Sequence, residues 1–273
     1  MLSPFLLRTK AAVKSNLPRV AAAYRTLRQV PGLGGGPGRR HLTAFIRQHT
    51  GSVVASGPFA GMVLAPGSTW GDGDVAPKLL GTYEQELHET LNRYRGCPYD
   101  AVVDIGCAEG YYAVGLARLF PRATVYAFDT DQAALRLAHR AAAMNGVRHR
   151  IEFGDLCDWT ALSSLARKHA RLLIVSDCEG YEEVLFGPGD RRSLAASDIV
   201  IECHDKIRPD STAAMTAALA PTHVVRRVDA IGRNPNQFAF LTQVHERDRW
   251  LAVCENRPSC SHWLACDSRA VPA

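Results

Sequence analysis

The stretch Ala101–Tyr112 reads AVVDIGCAEGYY. Its opening, rich in β-branched residues, predicts a strand, and the glycines that follow predict what the strand leads into. Gly106 lets the chain turn sharply, and Gly110, at the start of a helical pattern, lets the backbone approach a ligand closely. The dinucleotide fingerprint needs G-x-G-x-x-G. Here the loop is only G-x-x-x-G, with Asp104 on the strand before it and Glu109 inside it. Two carboxylates oppose a pyrophosphate and suit a ligand that carries positive charge.

Outward from this loop, strand and helix signals alternate, the pattern of a parallel sheet covered on both faces. Strands are expected at AVVDIG, ATVYAFD, RIEFGD, LLIVSD and DIVIECHD, and HVVRRV and QFAFLTQV are expected to close the sheet as a hairpin. Helices are expected at YYAVGLARLF, DQAALRLAHRAAAMNG and STAAMTAALA. In the second of these Ala134, Leu137, Ala138 and Ala141 follow helical spacing, and Gly146 sits where a helix stops. The fold class is therefore α/β: a doubly wound, seven-stranded, mostly parallel sheet of the Rossmann-like kind, with an N-terminal helical arm and a small hairpin. In such sheets ligands bind at the C-terminal strand ends.

Acids stand at three of those ends: Asp104 on the first strand, Asp129 after the second and Asp155 after the third. Any one alone is an ordinary strand-end or capping residue. Together they suit S-adenosylmethionine, with Asp104 and Glu109 near its cationic amino-acid end, Asp129 accepting from the ribose hydroxyls, and Asp155 accepting from the adenine amino group. Gly106, Cys107, Ala108 and Gly110 of the loop, Thr130 and Leu156 beside the acids, and Tyr83 and Glu84 upstream complete the expected cofactor set.

The segment VVDIGCAEGYYAVGLA resembles motif I of class I S-adenosylmethionine-dependent methyltransferases. SDCEGYEEVLF and IVIECHD are similar to the D-x-E-G-x-E and fifth-strand segments of the FkbM-type methyltransferases, and LGTYEQEL and ENRPSCSHWLA also look like segments of that group. The resemblance covers roughly residues 57 to 265. Where that family commonly has G-A-N-x-G, this chain has Cys107, Ala108 and Glu109. The resemblance implies O-methylation of a sugar or natural-product hydroxyl.

Methyl transfer from a sulfonium is an in-line displacement, so the protein must hold an acceptor oxygen and remove its proton. The fourth and fifth strand ends carry Asp177, Glu179, Glu202, His204 and Asp205. His204, with an ordinary pKa near neutrality, is the expected general base, with Asp177 either orienting it or taking the proton itself and Glu179 in reserve. The alternative has Asp177, His204 and Asp205 hold a divalent ion such as Mg²⁺. The fourth strand lacks the Asn/Asp-Pro-Pro-Tyr/Phe segment of base N-methyltransferases, and no nucleic-acid partner is expected; the acceptor is expected to be a small molecule or a glycan.

The net charge of +5 is uneven: nine basic residues and no acid precede Asp72, which leaves −4 for the rest. The expected domains are a basic arm with a Gly-rich linker (1–40), a cap of hairpin and helix (41–95, the helix at LGTYEQELHETLNRY) and the catalytic domain with its C-terminal extension (96–273). The eight cysteines form no CxxC pair, which predicts reduced thiols and a cytoplasmic protein, and no run is long and apolar enough to span a bilayer. Two rival readings remain: a nicotinamide-dependent oxidoreductase, disfavoured by the missing third glycine, and a degenerate methyltransferase domain that binds a partner through its basic arm.

Overall fold

The computed structural model describes residues 37–67, 74–186, 191–255, 257 and 261–270. The helical patches expected over residues 1–30 lie outside them. Seven strands form one sheet in the order β3-β2-β1-β4-β5-β7-β6. They are β1 Ala101–Ile105, β2 Thr124–Phe128, β3 Ile151–Gly154, β4 Leu172–Ser176, β5 Asp198–Cys203, β6 His223–Asp229 and β7 His262–Ser268. The first five run parallel, and β7 lies antiparallel between β5 and β6.

Every residue of β1, β4 and β5 is buried, as expected of strands covered on both faces. Successive side chains point to opposite faces. Val102, Leu173 and Val200 therefore join one apolar cluster with the helices Tyr111–Leu119 and Gln132–Met144, whereas Val103, Ile174 and Ile201 join another with Leu162, Leu185 and Met215. The strand-to-helix order reverses between β1 and β4, and the crevice at that switch is where the polar residues collect.

Four expectations are corrected. QFAFLTQV is not a strand but part of two 3₁₀ turns, Pro235–Gln237 and Ala239–Gln243. Phe238 and Leu241, three apart, are the residues it buries, which is turn spacing rather than strand alternation. The seventh strand is HWLACDS, from the C-terminal extension, where Trp263, Leu264, Ala265 and Cys266 are buried in succession.

The helix expected from Leu80 to Tyr94 is interrupted. A helix Val75–Leu80 ends at Gly81, and after a 3₁₀ turn at Gln85–Leu87 a second helix spans only His88–Tyr94. Gly81 has φ +74°, and a Cβ there would sit 2.0 Å from the carbonyl oxygen of Ser56, so the chain can turn only with glycine. The expected hairpin is a single antiparallel bridge between Val53 and Val63. Finally, a helix Pro37–Thr50 begins inside the expected linker, and its Leu42 and Ile46 join the same cluster as Leu79, Leu116 and Trp263. Cap and sheet therefore share one core.

Among the described residues no helix is long and apolar enough to cross a membrane. The seven described cysteines form no disulfide with one another.

Candidate cofactor and acceptor site

The loop after β1 is bound to its neighbours through backbone. The amides of Gly106 and Cys107 both donate to the carbonyl of Phe128 (2.9 and 3.0 Å), and the amide of Asp177 donates to Ile105 (2.9 Å). Ala108 takes a left-handed φ of +46°, and its amide donates to Asp129 Oδ2 (2.8 Å), while Asp129 Oδ1 accepts from the amide of Asp131 (2.7 Å). Asp129 is thus held by backbone amides on both of its carboxylate oxygens. Gly110, at φ +89°, seats the loop against Ala138 of the next helix.

Asp104 is buried, and its Oδ2 has no hydrogen-bond partner. Burial, and then the charges of Asp129 and Asp177, push its carboxyl well above the ordinary range, against a smaller pull from the Ala113 amide. Cys107 is likewise pushed up by burial and stays a thiol.

Glu109 does not stand as a spare charge for the cofactor. Lys78 Nζ donates to Glu109 Oε1 (2.8 Å) and Asp74 Oδ2 (2.7 Å). Burial pulls the lysine down, but the two carboxylates outweigh it and raise its pKa. Lys78 also lies over the rings of Tyr83 (4.7 Å) and Tyr111 (5.6 Å). The cap is in this way tied to the glycine loop. At the outer edge, Asp155 follows Gly154, which pairs with Phe128, and it accepts from Gln132 Nε2 (2.5 Å). Leu156 beside it is 54% exposed, an apolar face open at the strand ends, and Thr130 is exposed.

The ends of β4 and β5 bring four carboxylates around one imidazole. Glu182 Oε1 lies 2.8 Å from His204 Nδ1, while Nε2 faces Asp177 Oδ1 (3.5 Å), Glu202 Oε2 (3.8 Å) and Glu179 Oε2 (4.0 Å). Burial lowers the pKa of His204, but the Glu182 hydrogen bond and the charges of Asp177, Glu182 and Glu202 raise it to about 10. The upward direction runs against the expectation of a neutral general base. Asp205 turns away from the cluster to accept from the amide and hydroxyl of Thr212 (2.9 and 2.5 Å). The ligand set that converges is Asp177, Glu202 and His204, all within 4.8 Å of one another, not Asp177, His204 and Asp205.

A third group closes the crevice from the cap. Glu84 is fully buried in a left-handed conformation (φ +48°) and bonds to Tyr112 and Arg257, and its amide donates to Glu255 Oε1 (2.8 Å). Arg257 also reaches Glu202 and Glu255, and Arg233 pairs with Glu86 (2.7 Å) and Glu255 (2.5 Å). Tyr83 and Glu84 thus meet the acceptor side as well as the loop. The expectations missed Lys78, Glu182, Arg233, Glu255 and Arg257, because each acts across a gap in sequence that periodicity cannot bridge. Glu182 did close the D-x-E-G-x-E segment, and Glu255 and Arg257 did lie in ENRPSCSHWLA, segments marked by resemblance alone.

Burial raises the pKa of Glu84, Arg257 lowers it, and Glu255 and Asp177 raise it again, leaving it at about 7 against an ordinary 4.5. The folded chain then holds this proton more tightly than the unfolded chain. Stability is fullest below about 4.5 and falls as pH climbs to about 7, by at most about 1.4 kcal/mol per pH unit. Glu84→Gln, with no proton to lose, should flatten the slope in urea denaturation across this window. An unchanged slope would assign the titration elsewhere.

A family model described as a methyltransferase domain matches residues 102–178, from β1 to the end of β4. The match takes in the β1 loop, Asp129 and Asp155, the residues that line the candidate cofactor site. The release factor glutamine methyltransferase of Synechocystis sp. is 39% identical over 66 residues, which are 24% of this chain and 22% of that protein. The matched part is thus about a fifth of that relative's length. Among solved structures, the precorrin-6y C5,15-methyltransferase of Geobacter metallireducens aligns with a TM-score of 0.47 at 15% identity, covering 68% of this chain and 89% of that one. TrmN from Thermus thermophilus aligns with a TM-score of 0.43 at 20% identity, covering 71% and 51%.

Proposed function

We propose that the chain is an S-adenosylmethionine-dependent O-methyltransferase of the FkbM type, acting on a hydroxyl of a small molecule or glycan. The observation that carries the reading is Asp104, a buried carboxyl with an orphaned oxygen in Coulomb reach of Asp129 and Asp177. A cationic ligand end relieves that conflict, and an anionic pyrophosphate aggravates it. The residues present therefore fit the cofactor and not a nicotinamide dinucleotide.

The Gly106–Gly110 loop and Asp104 would hold the amino-acid end, Asp129 the ribose hydroxyls, and Asp155 with Leu156 the adenine. When bound, the cofactor supplies an electrophilic methyl group on a sulfonium. The acceptor hydroxyl would enter on the Nε2 side of His204, between Asp177 and Glu202, where a carboxylate can take its hydrogen. Asp177 and Glu202, which face His204 Nε2 at 3.5 and 3.8 Å, are the carboxylates nearest that hydroxyl in this reading. Proton removal by a positioned group is worth about 10² to 10⁴ in rate.

Titration calorimetry of the full chain with S-adenosylmethionine, its demethylated product S-adenosylhomocysteine, and a reduced nicotinamide dinucleotide tests the assignment. The first two should bind with micromolar affinity and the third should not. Asp129→Ala should weaken both by about tenfold to a hundredfold, the cost of a carboxylate lost from two hydroxyl partners. Equal affinity in the variant would overturn the ribose assignment.

A further inference from the structure

The ends of β4 and β5 carry an arrangement that proton transfer alone does not require. His204 has its Nδ1 fixed by Glu182, which is completely buried and, among the described residues, also meets the Gly180 amide and Cys178. That contact turns Nε2 toward Asp177 and Glu202. Glu202 is in turn held by Arg257 through Oε1, which leaves Oε2 on the histidine side. Asp177 Oδ1 is shielded from solvent and has no hydrogen-bond partner, although it lies 3.5 Å from Nε2.

We propose that Asp177, Glu202 and His204 form a divalent-cation site of the Mg²⁺ or Mn²⁺ class. The proposal rests on the methyltransferase reading and adds to it how the acceptor oxygen is held. Ligand atoms about 2.1 Å from a shared ion lie at most about 4.2 Å apart. The histidine nitrogen already meets that limit toward both carboxylates, at 3.5 and 3.8 Å, and a slight inward rotation of one carboxylate closes the set. The ion takes the place of the Nε2 proton, which leaves to solvent, so the two carboxylates face two positive charges on the metal. The Glu182 contact is the familiar outer support of a metal-bound histidine: a carboxylate that fixes the ring and its tautomer. Three protein ligands leave positions open, and an acceptor hydroxyl, or a pair of neighbouring hydroxyls, bound there would be oriented and made more acidic.

The test is titration of the full chain, stripped with EDTA and desalted, with MnCl₂, followed by calorimetry and by the spin-resonance signal of free Mn²⁺. One equivalent should bind. Asp177→Asn and His204→Gln should each weaken it at least ~tenfold, and Glu182→Gln, which touches the ion only through His204, by about tenfold. Asp205→Asn should leave it unchanged. S-adenosylhomocysteine binding reports that each variant is folded, and Glu202→Gln replaces any variant that loses it. No Mn²⁺ uptake by the wild type at millimolar concentration, or equal uptake by wild type and ligand variants, overturns the site. Retained S-adenosylhomocysteine binding in that case leaves the methyltransferase reading standing. Mn²⁺ uptake without S-adenosylhomocysteine binding does the reverse, supporting the site and overturning that reading.

Discussion

Gly106→Ala is expected to be the most damaging single-methyl change in the chain. Its φ of +87° already disfavours any side chain, and a Cβ would lie 1.8 Å from the carbonyl oxygen of Asp177 and 2.8 Å from its carbon. The obstacle is backbone, and that backbone cannot retreat: the Asp177 amide is bonded to Ile105, and the Gly106 amide to Phe128. Accommodation means pulling the β1 loop from the end of β4, at a cost of at least ~4 kcal/mol, a large share of the roughly 5–15 kcal/mol that holds a domain folded. Gly146→Ala is the control. Gly146 has φ +69° but nothing within 4 Å of the added atom, so only the backbone strain, about 1–2 kcal/mol, applies. Urea denaturation of the two variants measures the difference, and calorimetry with S-adenosylhomocysteine should find no binding in the Gly106 variant. Equal stabilities would mean that the close approach of the two loops is absent in solution.

Arg257→Met should rank second, for an electrostatic reason. Arg257 is the shared cation of Glu84, Glu202 and Glu255, whose side chains are 0%, 4% and 4% exposed. Removing one partner of a buried ion pair leaves uncompensated charge and typically costs about 3–5 kcal/mol. The carboxylates can escape by taking protons, and the guanidinium now holds Glu84 and Glu202 down against burial. The deficit relative to wild type should therefore grow as pH rises past about 7, where wild-type Glu84 gives up its proton and the variant still holds it. Glu84→Gln in the Arg257→Met background should recover part of the loss. Denaturant midpoints for the four members of that cycle decide it, and a pH-independent deficit would reduce Arg257 to a packing residue.

The site divides along a line that these two residues illustrate. Gly106, Gly110, Asp104, Asp129 and Asp155 were legible in the sequence because each has a local reason: a left-handed turn, a strand end, a fixed offset from a glycine loop. The five parallel strands were legible for the same cause, since a buried strand writes an apolar run between turn signals. QFAFLTQV misled because a short apolar stretch with spacing of three satisfies a turn as well as a strand, and only packing chooses. HWLACDS was hidden because a strand inserted last between β5 and β6 leaves no mark of its partners in its own sequence.

Composition and local pattern by themselves determined the sheet class, the position of the glycine loop and the strand ends that bear acids. Tertiary structure decided which charges are free to act. Lys78 neutralises Glu109 from 31 residues away, Glu182 and its neighbours raise the pKa of His204, Asp205 leaves the cluster to bind Thr212, and Arg257 arrives from the far end of the chain to join cap and sheet. The physical reason is that a residue's charge state depends on burial and on the nearest opposite charge, and both are set by which distant segments the fold brings within a few ångströms.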